Sequence, residues 1–299
     1  YTPTHTLSLH DALPICYLVC DDVPDTLCTP GMLEDKTHYR WQVLATDPYS
    51  ATTTGPVWTF TTTVGCPTTS TQQYRSGTVY QVERDNPVRP AQNHADKNLA
   101  LRGYVLNPDP NLAHDLIDYG SGDSKQPPQL ATLFSPARVP IFDHLYQVHQ
   151  WAWAASPDPG QRGTPMTHFP VTALGMRTTP GESLSVPTSG YDIGGGYEVI
   201  VLFADVHKVA LKYTRDDSAG SPGYTVHVDH ICTDPNLLAL YNALDDPDGP
   251  RYHYTPPAQR PYTYALPTLS AGQSFGIARE NEIVVAIVDT GAFLDPRSL

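Results

Sequence analysis

Alternating apolar and polar positions predict a β-hairpin early in the chain. In residues 38–45, Tyr39, Trp41 and Val43 share one face of an extended segment, and polar residues occupy the other face. Residues 55–62 repeat this alternation, and a short segment containing Pro separates the two runs. Two such runs with facing aromatic residues and a short loop are typical of a hairpin.

Further apolar runs, bounded by Pro, Gly, Asn and Asp, predict that the rest of the chain is also rich in strands. The expected strands are residues 77–83, 99–106, 144–154, 171–176, 197–204, 209–214, 224–229 and 282–288. A loop rich in Tyr and Pro is expected at residues 251–266, and a turn at residues 270–275.

One helix is predicted among these strands. Asp234 is suited to cap its amino end, and Pro235 suits the first helical position. The apolar stripe of the helix would consist of Leu237, Leu240, Tyr241 and Leu244. The Asp-rich segment 245–249 ends the helix, and its spacing departs from that of a calcium-binding loop.

The composition agrees with an all-β protein that has a core of its own. The 299 residues include 30 Pro and 21 Gly, which interrupt helices, and 40% hydrophobic residues, which allow a core to be buried. The net charge of −13 would repel a phosphate backbone, so we expect no nucleic-acid partner. No apolar run approaches the roughly 20 residues that cross a bilayer, so no membrane span is expected.

The cysteines are compatible with two disulfides. Cys20 with Cys28, and Cys66 with Cys232, are candidate pairs, and free buried thiols are an equally open alternative. No two cysteines have the C-x-x-C spacing of a zinc ribbon, so that class of metal site is not expected.

The hairpin residues carry a resemblance to a known family. The pattern THYRWQVLATD…GPVWTFTT resembles the last two strands of a fibronectin type III domain of bacterial surface proteins, over residues 17–62. In that family the module is a spacer or a binding unit. Residues 1–15 resemble translated sequencing-adapter sequence, so we treat them as non-native and residues 16–63 as a partial domain. A Thr-rich linker over residues 64–73 would lead to a β-rich domain over residues 74–299.

The last half of the chain carries a second resemblance. The segments GGGYEVIVLFADVHKVALKYT and LPTLSAGQSFGIA…EIVVAIVDTGAFLDP are similar to lysostaphin-type zinc endopeptidases, over residues 145–299. The two resemblances together imply an all-β fold: a partial immunoglobulin-like sandwich, then a β-rich barrel or sandwich domain with one short helix.

The metal ligands of that peptidase family do not carry over. Its His-x-His pair falls on Glu282 and Val284, its Tyr-x-His motif on residues 213–215, and its first metal motif best matches His149 with Trp153. A catalytic zinc needs three protein ligands and an open position, and one candidate ligand remains. We therefore expect no catalytic residues, no metal and no cofactor.

Two other groups of donor residues are candidate metal ligands. His227, Asp229 and His230 lie in the sequence HVDH, and His94 and Asp96 lie in HAD. On a strand, neighbouring residues point to opposite faces, so His230 would point away from the other two. The expectation is that these histidines are surface residues or hydrogen-bonded structural residues.

A set of aromatic residues is the strongest candidate for binding. His149, Trp151 and Trp153 alternate along one predicted strand, so they could form a stacking platform for a sugar or peptide. A buried face that seals the core is the alternative interpretation. Tyr213 and Arg215, at the position of the peptidase Tyr-x-His motif, complete the list of candidate ligand-binding residues.

The favoured function is a non-enzymatic spacer or binding module of a secreted or cell-surface protein. Its partner would be an unknown extracellular ligand, such as a cell-wall glycan or a protein. Two alternatives stay open: a cell-wall zinc endopeptidase with a rearranged site, and a glycan-binding module centred on Trp151 and Trp153.

Overall fold

The computed structural model describes residues 4–10, 16–23, 37–47, 49–61, 65–82, 88–117, 127–153, 160–246, 249–259 and 262–298, with the backbone alone for the first two ranges. The chain divides into two compact units, Tyr1–Gly65 and Cys66–Leu299. The division falls within the predicted linker over residues 64–73. No helix in the described ranges combines the length and apolar character that crossing a membrane requires.

The first unit contains one four-stranded antiparallel sheet with the strand order β2-β1-β3-β4. Its strands are β1 (Thr4–His10), β2 (Cys16–Val23), β3 (His38–Thr46) and β4 (Thr52–Thr61). No element was predicted for residues 1–15, yet β1 pairs with β3 along its length. The segment THTLSLH alternates in polarity, and the backbone of β3 offers it an edge to pair with.

The predicted hairpin is confirmed as β3 and β4. Trp41 lies opposite Trp58, and their ring centroids are 4.5 Å apart in a stacked arrangement. Tyr39 stacks on Phe60 in the same way at 5.5 Å. The Asp47 carboxylate accepts hydrogen bonds from two backbone N–H groups of the connecting turn, which fixes the reversal of the chain.

The second unit is predominantly β, which confirms the all-β class. Its strands are β5 (Arg75–Gln81), β6 (Tyr104–Leu106), β7 (Phe134–Ser135), β8 (Phe142–Ala152), β9 (Gln161–Pro165), β10 (Ala173–Arg177), β11 (Ser183–Ser185), β12 (Val199–Ala204), β13 (Lys208–Lys212), β14 (Tyr224–Asp229), β15 (Ile231–Thr233), β16 (Tyr262–Leu269), β17 (Ser274–Ala278), β18 (Glu282–Asp289) and β19 (Ala292–Phe293). Its α-helices are α1 (Leu99–Arg102) and α2 (Pro235–Leu244). Short 3-10 turns lie at Ala91–Asn93, Leu130–Leu133, Pro250–Tyr252, Pro257–Gln259 and Pro296–Ser298.

These strands form two antiparallel sheets. The larger sheet has the order β5-β16-β12-β13-β14-β18-β10-β8-β6, with β19 added to β18 and β9 added to β8. The smaller sheet has the order β15-β17-β11-β7. Both sheets contribute to one apolar core cluster, which makes this unit a sandwich. Representative fully buried members of that cluster are Leu184, Val201, Leu211, Phe275 and Val285.

Helix α2 confirms the predicted helix and its cap. The Asp234 side chain accepts hydrogen bonds from the backbone N–H groups of Asn236 and Leu237, and Pro235 opens the first turn. Leu237 and Tyr241 of the predicted apolar stripe are buried against the core.

Two predicted segments have a different structure. Residues 99–106 were expected to be one strand, but Asn98 caps the short helix α1 and Gly103 turns the chain at φ 61° before β6 begins. The prediction of a loop over residues 251–266 is also wrong from Tyr262 onward. Strand β16 begins at Tyr262 and pairs with β5, which is distant in the sequence and supplies hydrogen bonds that a local pattern does not reveal.

A disulfide joins Cys66 to Cys232, which confirms this pairing. It fastens the beginning of the second unit to strand β15, across a sequence separation of 166 residues. Cys28, one member of the other candidate pair, lies outside the described residues.

Candidate functional site

Trp151 and Trp153 lie at the end of strand β8. Trp151 belongs to the strand, and Trp153 follows directly after its last residue. Their ring centroids are 6.3 Å apart in an edge-on arrangement, and both side chains are partly buried. Gly160 approaches the indole so closely that a Cβ at this position would lie 2.7 Å from Trp151 Nε1. Since both side chains are only partly buried, each indole keeps part of its surface in solvent.

A buried imidazole and a guanidinium complete this region. The His94 ring lies 4.9 Å from the Trp153 ring, and the Arg89 guanidinium lies 5.3 Å from its centroid. We call Arg89, His94, Trp151 and Trp153 the tryptophan patch. A cation near an indole face is attracted by the negative potential of the ring, so Arg89 helps to hold Trp153 in place.

The other candidate ligand-binding residues lie elsewhere. His149 is partly buried on β8, and its Nδ1 atom has no hydrogen-bond partner within the described part of the chain. Tyr213 is fully buried and donates to the backbone oxygen of Pro187 at 2.6 Å. Arg215 donates to backbone oxygens of Ile193, Gly194 and Thr78. The structure thus gives Tyr213 and Arg215 structural contacts and does not bring them to the tryptophan patch.

Glu282 has partners that the sequence did not indicate. Its carboxylate lies 2.5 Å from His144 Nδ1 and accepts a hydrogen bond from the Tyr146 hydroxyl at 2.8 Å. Strand β10 lies between β18 and β8, so the Glu282 side chain crosses it to reach these residues. Gly175 makes the crossing feasible, because a Cβ there would overlap the carboxylate.

Tyr104 extends this cluster toward β14. Its ring lies 5.0 Å from the Tyr146 ring in an edge-on arrangement, and its hydroxyl lies 3.1 Å from His230 Nε2. Burial raises the pKa of Tyr104 above its usual range, and the nearby Asp229 carboxylate raises it further. We call Tyr104, His144, Tyr146, Asp229, His230 and Glu282 the tyrosine patch.

From the sequence, Glu282 was named only as a position of the peptidase His-x-His pair and was assigned no partner. His144 and Tyr146 are two residues apart on one strand, which is a signal that they share a face. The order of strands that brings them to Glu282 cannot be read from that spacing.

The residues of the HVDH and HAD sequences do not meet as a metal site. His227 is buried with its ring stacked on Phe293 at 6.2 Å, while Asp96 pairs with Arg102. Burial lowers the pKa of His227 to about 4, so its imidazole is neutral at physiological pH. In the described ranges, no group of three or more His, Cys, Asp or Glu side chains has an arrangement that could hold a metal ion.

Comparisons with known proteins give no relative from which a function could be transferred. No family model, no curated protein and no solved structure matches this chain.

Proposed function

We propose that the chain is a non-enzymatic module of a secreted or cell-surface protein, with a spacer or binding role. The Cys66–Cys232 disulfide supports an oxidising compartment, because such bonds persist mainly outside the cytosol. The division into two compact units supports a modular protein.

The first unit fits the spacer part of this proposal. Its β3–β4 hairpin, with Trp41 stacked on Trp58, supports the resemblance to the closing strands of a fibronectin type III domain. Mapping the strand pairing of the first unit by NMR in the intact chain would test this relationship. A strand connectivity around the hairpin that differs from the fibronectin type III order would contradict it.

The binding role is assigned to the tryptophan patch, and the proposed ligand is a cell-wall glycan. The observation that carries this proposal is the incomplete burial of Trp151 and Trp153. Flat indole faces suit the apolar C–H faces of sugar rings, while polar groups beside them can bond to hydroxyl groups. The partial exposure of both indoles leaves part of each ring accessible to a ligand.

Fluorescence titration of the intact chain with soluble cell-wall polysaccharide tests the glycan proposal. We expect the tryptophan emission to shift on binding, and Trp151→Ala or Trp153→Ala to weaken the affinity by roughly tenfold or more. Trp58→Ala is the matched control, since Trp58 is also partly exposed but belongs to the first unit. Equal losses in all three variants, or no response to polysaccharide, would refute the proposal.

The metallopeptidase alternative has no comparable support. It requires three converging donors, and no group of three or more His, Cys, Asp or Glu side chains within the described ranges is arranged to hold a metal ion.

A further inference from the structure

We propose that the tyrosine patch binds an organic ammonium group, either a quaternary ammonium or the protonated amine of a lysine-like side chain. This site is separate from the tryptophan patch and is independent of the glycan proposal. The argument rests on the arrangement of two phenol rings and the carboxylates behind them.

The two rings form an edge-on aromatic pair that is partly exposed. Tyr104 and Tyr146 meet edge-on with centroids 5.0 Å apart, and both side chains are partly buried. They pack against an apolar cluster that includes Val284 and Ala173, so the sheet supports them from below. Organic cations bind over such ring faces within about 6 Å of the centroid.

A carboxylate strengthens the attraction of one of these rings for a cation. The Tyr146 hydroxyl donates to Glu282 Oε1 at 2.8 Å, and a phenol that donates to an anion gains electron density on its ring. Glu282 is held in this position from its other side by His144 Nδ1. Gly175 leaves room for the carboxylate, so the arrangement is built into three adjacent strands.

The charges around the rings favour a cation over an anion. Asp229 is largely buried close to Tyr104, and Glu280 lies 3.9 Å from His230. Arg279 is paired with Glu280 at 3.7 Å, and Lys97 and Lys208 line one small cavity together with Asp229. The raised pKa of Tyr104, caused first by burial and then by Asp229, is consistent with a negative potential at its hydroxyl. The net charge of −13 acts in the same direction at long range.

An NMR titration of the intact chain with three probes tests this inference. The probes are choline, its neutral isostere 3,3-dimethylbutanol, and Nα-acetyl-lysine N-methylamide. We expect choline or the lysine derivative to shift the resonances of Tyr104 and Tyr146, and the neutral isostere to bind roughly three- to thirtyfold more weakly. The stronger of the two cations identifies the source of the ammonium group. Equal binding of choline and its isostere, or shifts that avoid both tyrosines, would overturn the proposal.

Substitutions separate the contribution of the patch from general surface binding. Glu282→Gln keeps the shape of the side chain but removes its charge, and Tyr146→Ala removes one ring; both are expected to weaken choline binding at least threefold. Tyr80→Phe is the control, because Tyr80 is an exposed tyrosine on strand β5, away from the patch. A Tyr80→Phe loss as large as that of the patch variants would count against the site. If Tyr146→Ala does not fold, Glu282→Gln decides the question, with an unchanged affinity refuting the inference.

Discussion

Two single residues show how local chemistry is set by close packing in this protein. Gly175 is required because the Glu282 carboxylate occupies the space where a Cβ would lie. His227 sits in an environment that excludes water, and its Nε2 atom has no hydrogen-bond partner within the described ranges. The two positions lead to separate predictions, one about shape and one about pH.

Gly175→Ala is expected to displace the Glu282 carboxylate and to lower the free energy of unfolding by about 1–3 kcal/mol, because the added methyl group overpacks the site. Urea unfolding measures the change in stability, and the NMR signal of the His144 ring reports the loss of its partner. Gly220→Ala is the control, since its nearest neighbour would be 3.5 Å from the new Cβ. Equal effects of the two substitutions would show that Gly175 is not needed for the crossing.

His227 should make the protein less stable in acid. Its pKa falls from about 6.5 in the unfolded chain to about 4 on folding, mainly because of burial, so the unfolded chain binds more protons between these values. The contribution of His227 to the free energy of unfolding is therefore fully present above pH 6.5. It declines by about 2 kcal/mol when the pH is lowered to 5. Urea unfolding above pH 6.5 and at pH 5 measures this decline. The His227→Gln variant should lack it, whereas the variant His253→Gln, at an exposed histidine, should show the same decline as the wild type. An identical pH dependence in wild type and His227→Gln would contradict the assignment.

At the scale of elements, helix α2 depends on contacts both within and beyond its own sequence. Asp234 caps its first turn and also accepts a hydrogen bond from the Ser70 hydroxyl at 2.5 Å. The Asn236 side chain donates to backbone oxygens of Ser70 and Gln72. The segment that begins at Cys66 therefore lies against the amino end of this helix.

Removing the amino-terminal cap of α2 should destabilise the protein. Asp234→Ala is expected to lower the unfolding free energy by about 1–2 kcal/mol, because two N–H groups of the first turn and the Ser70 hydroxyl lose their acceptor. Thermal unfolding followed by circular dichroism measures this loss. Asp246→Ala, just beyond the other end of the helix, is the control and should cost less. A larger effect of the control would show that the cap does not limit the stability of α2.

Across the second unit, the Cys66–Cys232 disulfide links segments that are far apart in the sequence. It joins residues 166 positions apart, so it restricts a large loop in the unfolded chain. The double substitution Cys66→Ser with Cys232→Ser should lower the unfolding free energy by about 2–5 kcal/mol. Urea unfolding with and without reductant tests this. Reductant should lower the free energy of unfolding of the wild type, and it should leave the unfolding of the second unit in the double variant unchanged. A wild-type protein that is insensitive to reductant would refute the stabilising role.

Elements whose pattern is local could be predicted from the amino-acid sequence. The facing aromatics of β3 and β4 need only alternation and a turn, and the cap, proline and apolar stripe of α2 lie within one short segment. Strand β18 was also recognisable, because strands covered on both sides are continuously apolar, as β18 is between its terminal residues. These features follow from backbone geometry and from the preference of apolar side chains for a core.

Which of these elements are neighbours depends on the packing of the whole chain and could not be predicted from local patterns. Strand β16 was not recognised because its partner β5 is remote in the sequence, and the Glu282–His144 pair depends on the placement of β10 between β18 and β8. A strand's own sequence specifies which residues share a face, but its neighbours are chosen by the packing of the whole sandwich. The tyrosine patch therefore became visible only with the sheet order, whereas the tryptophan patch was indicated by the spacing of Trp151 and Trp153 along one segment.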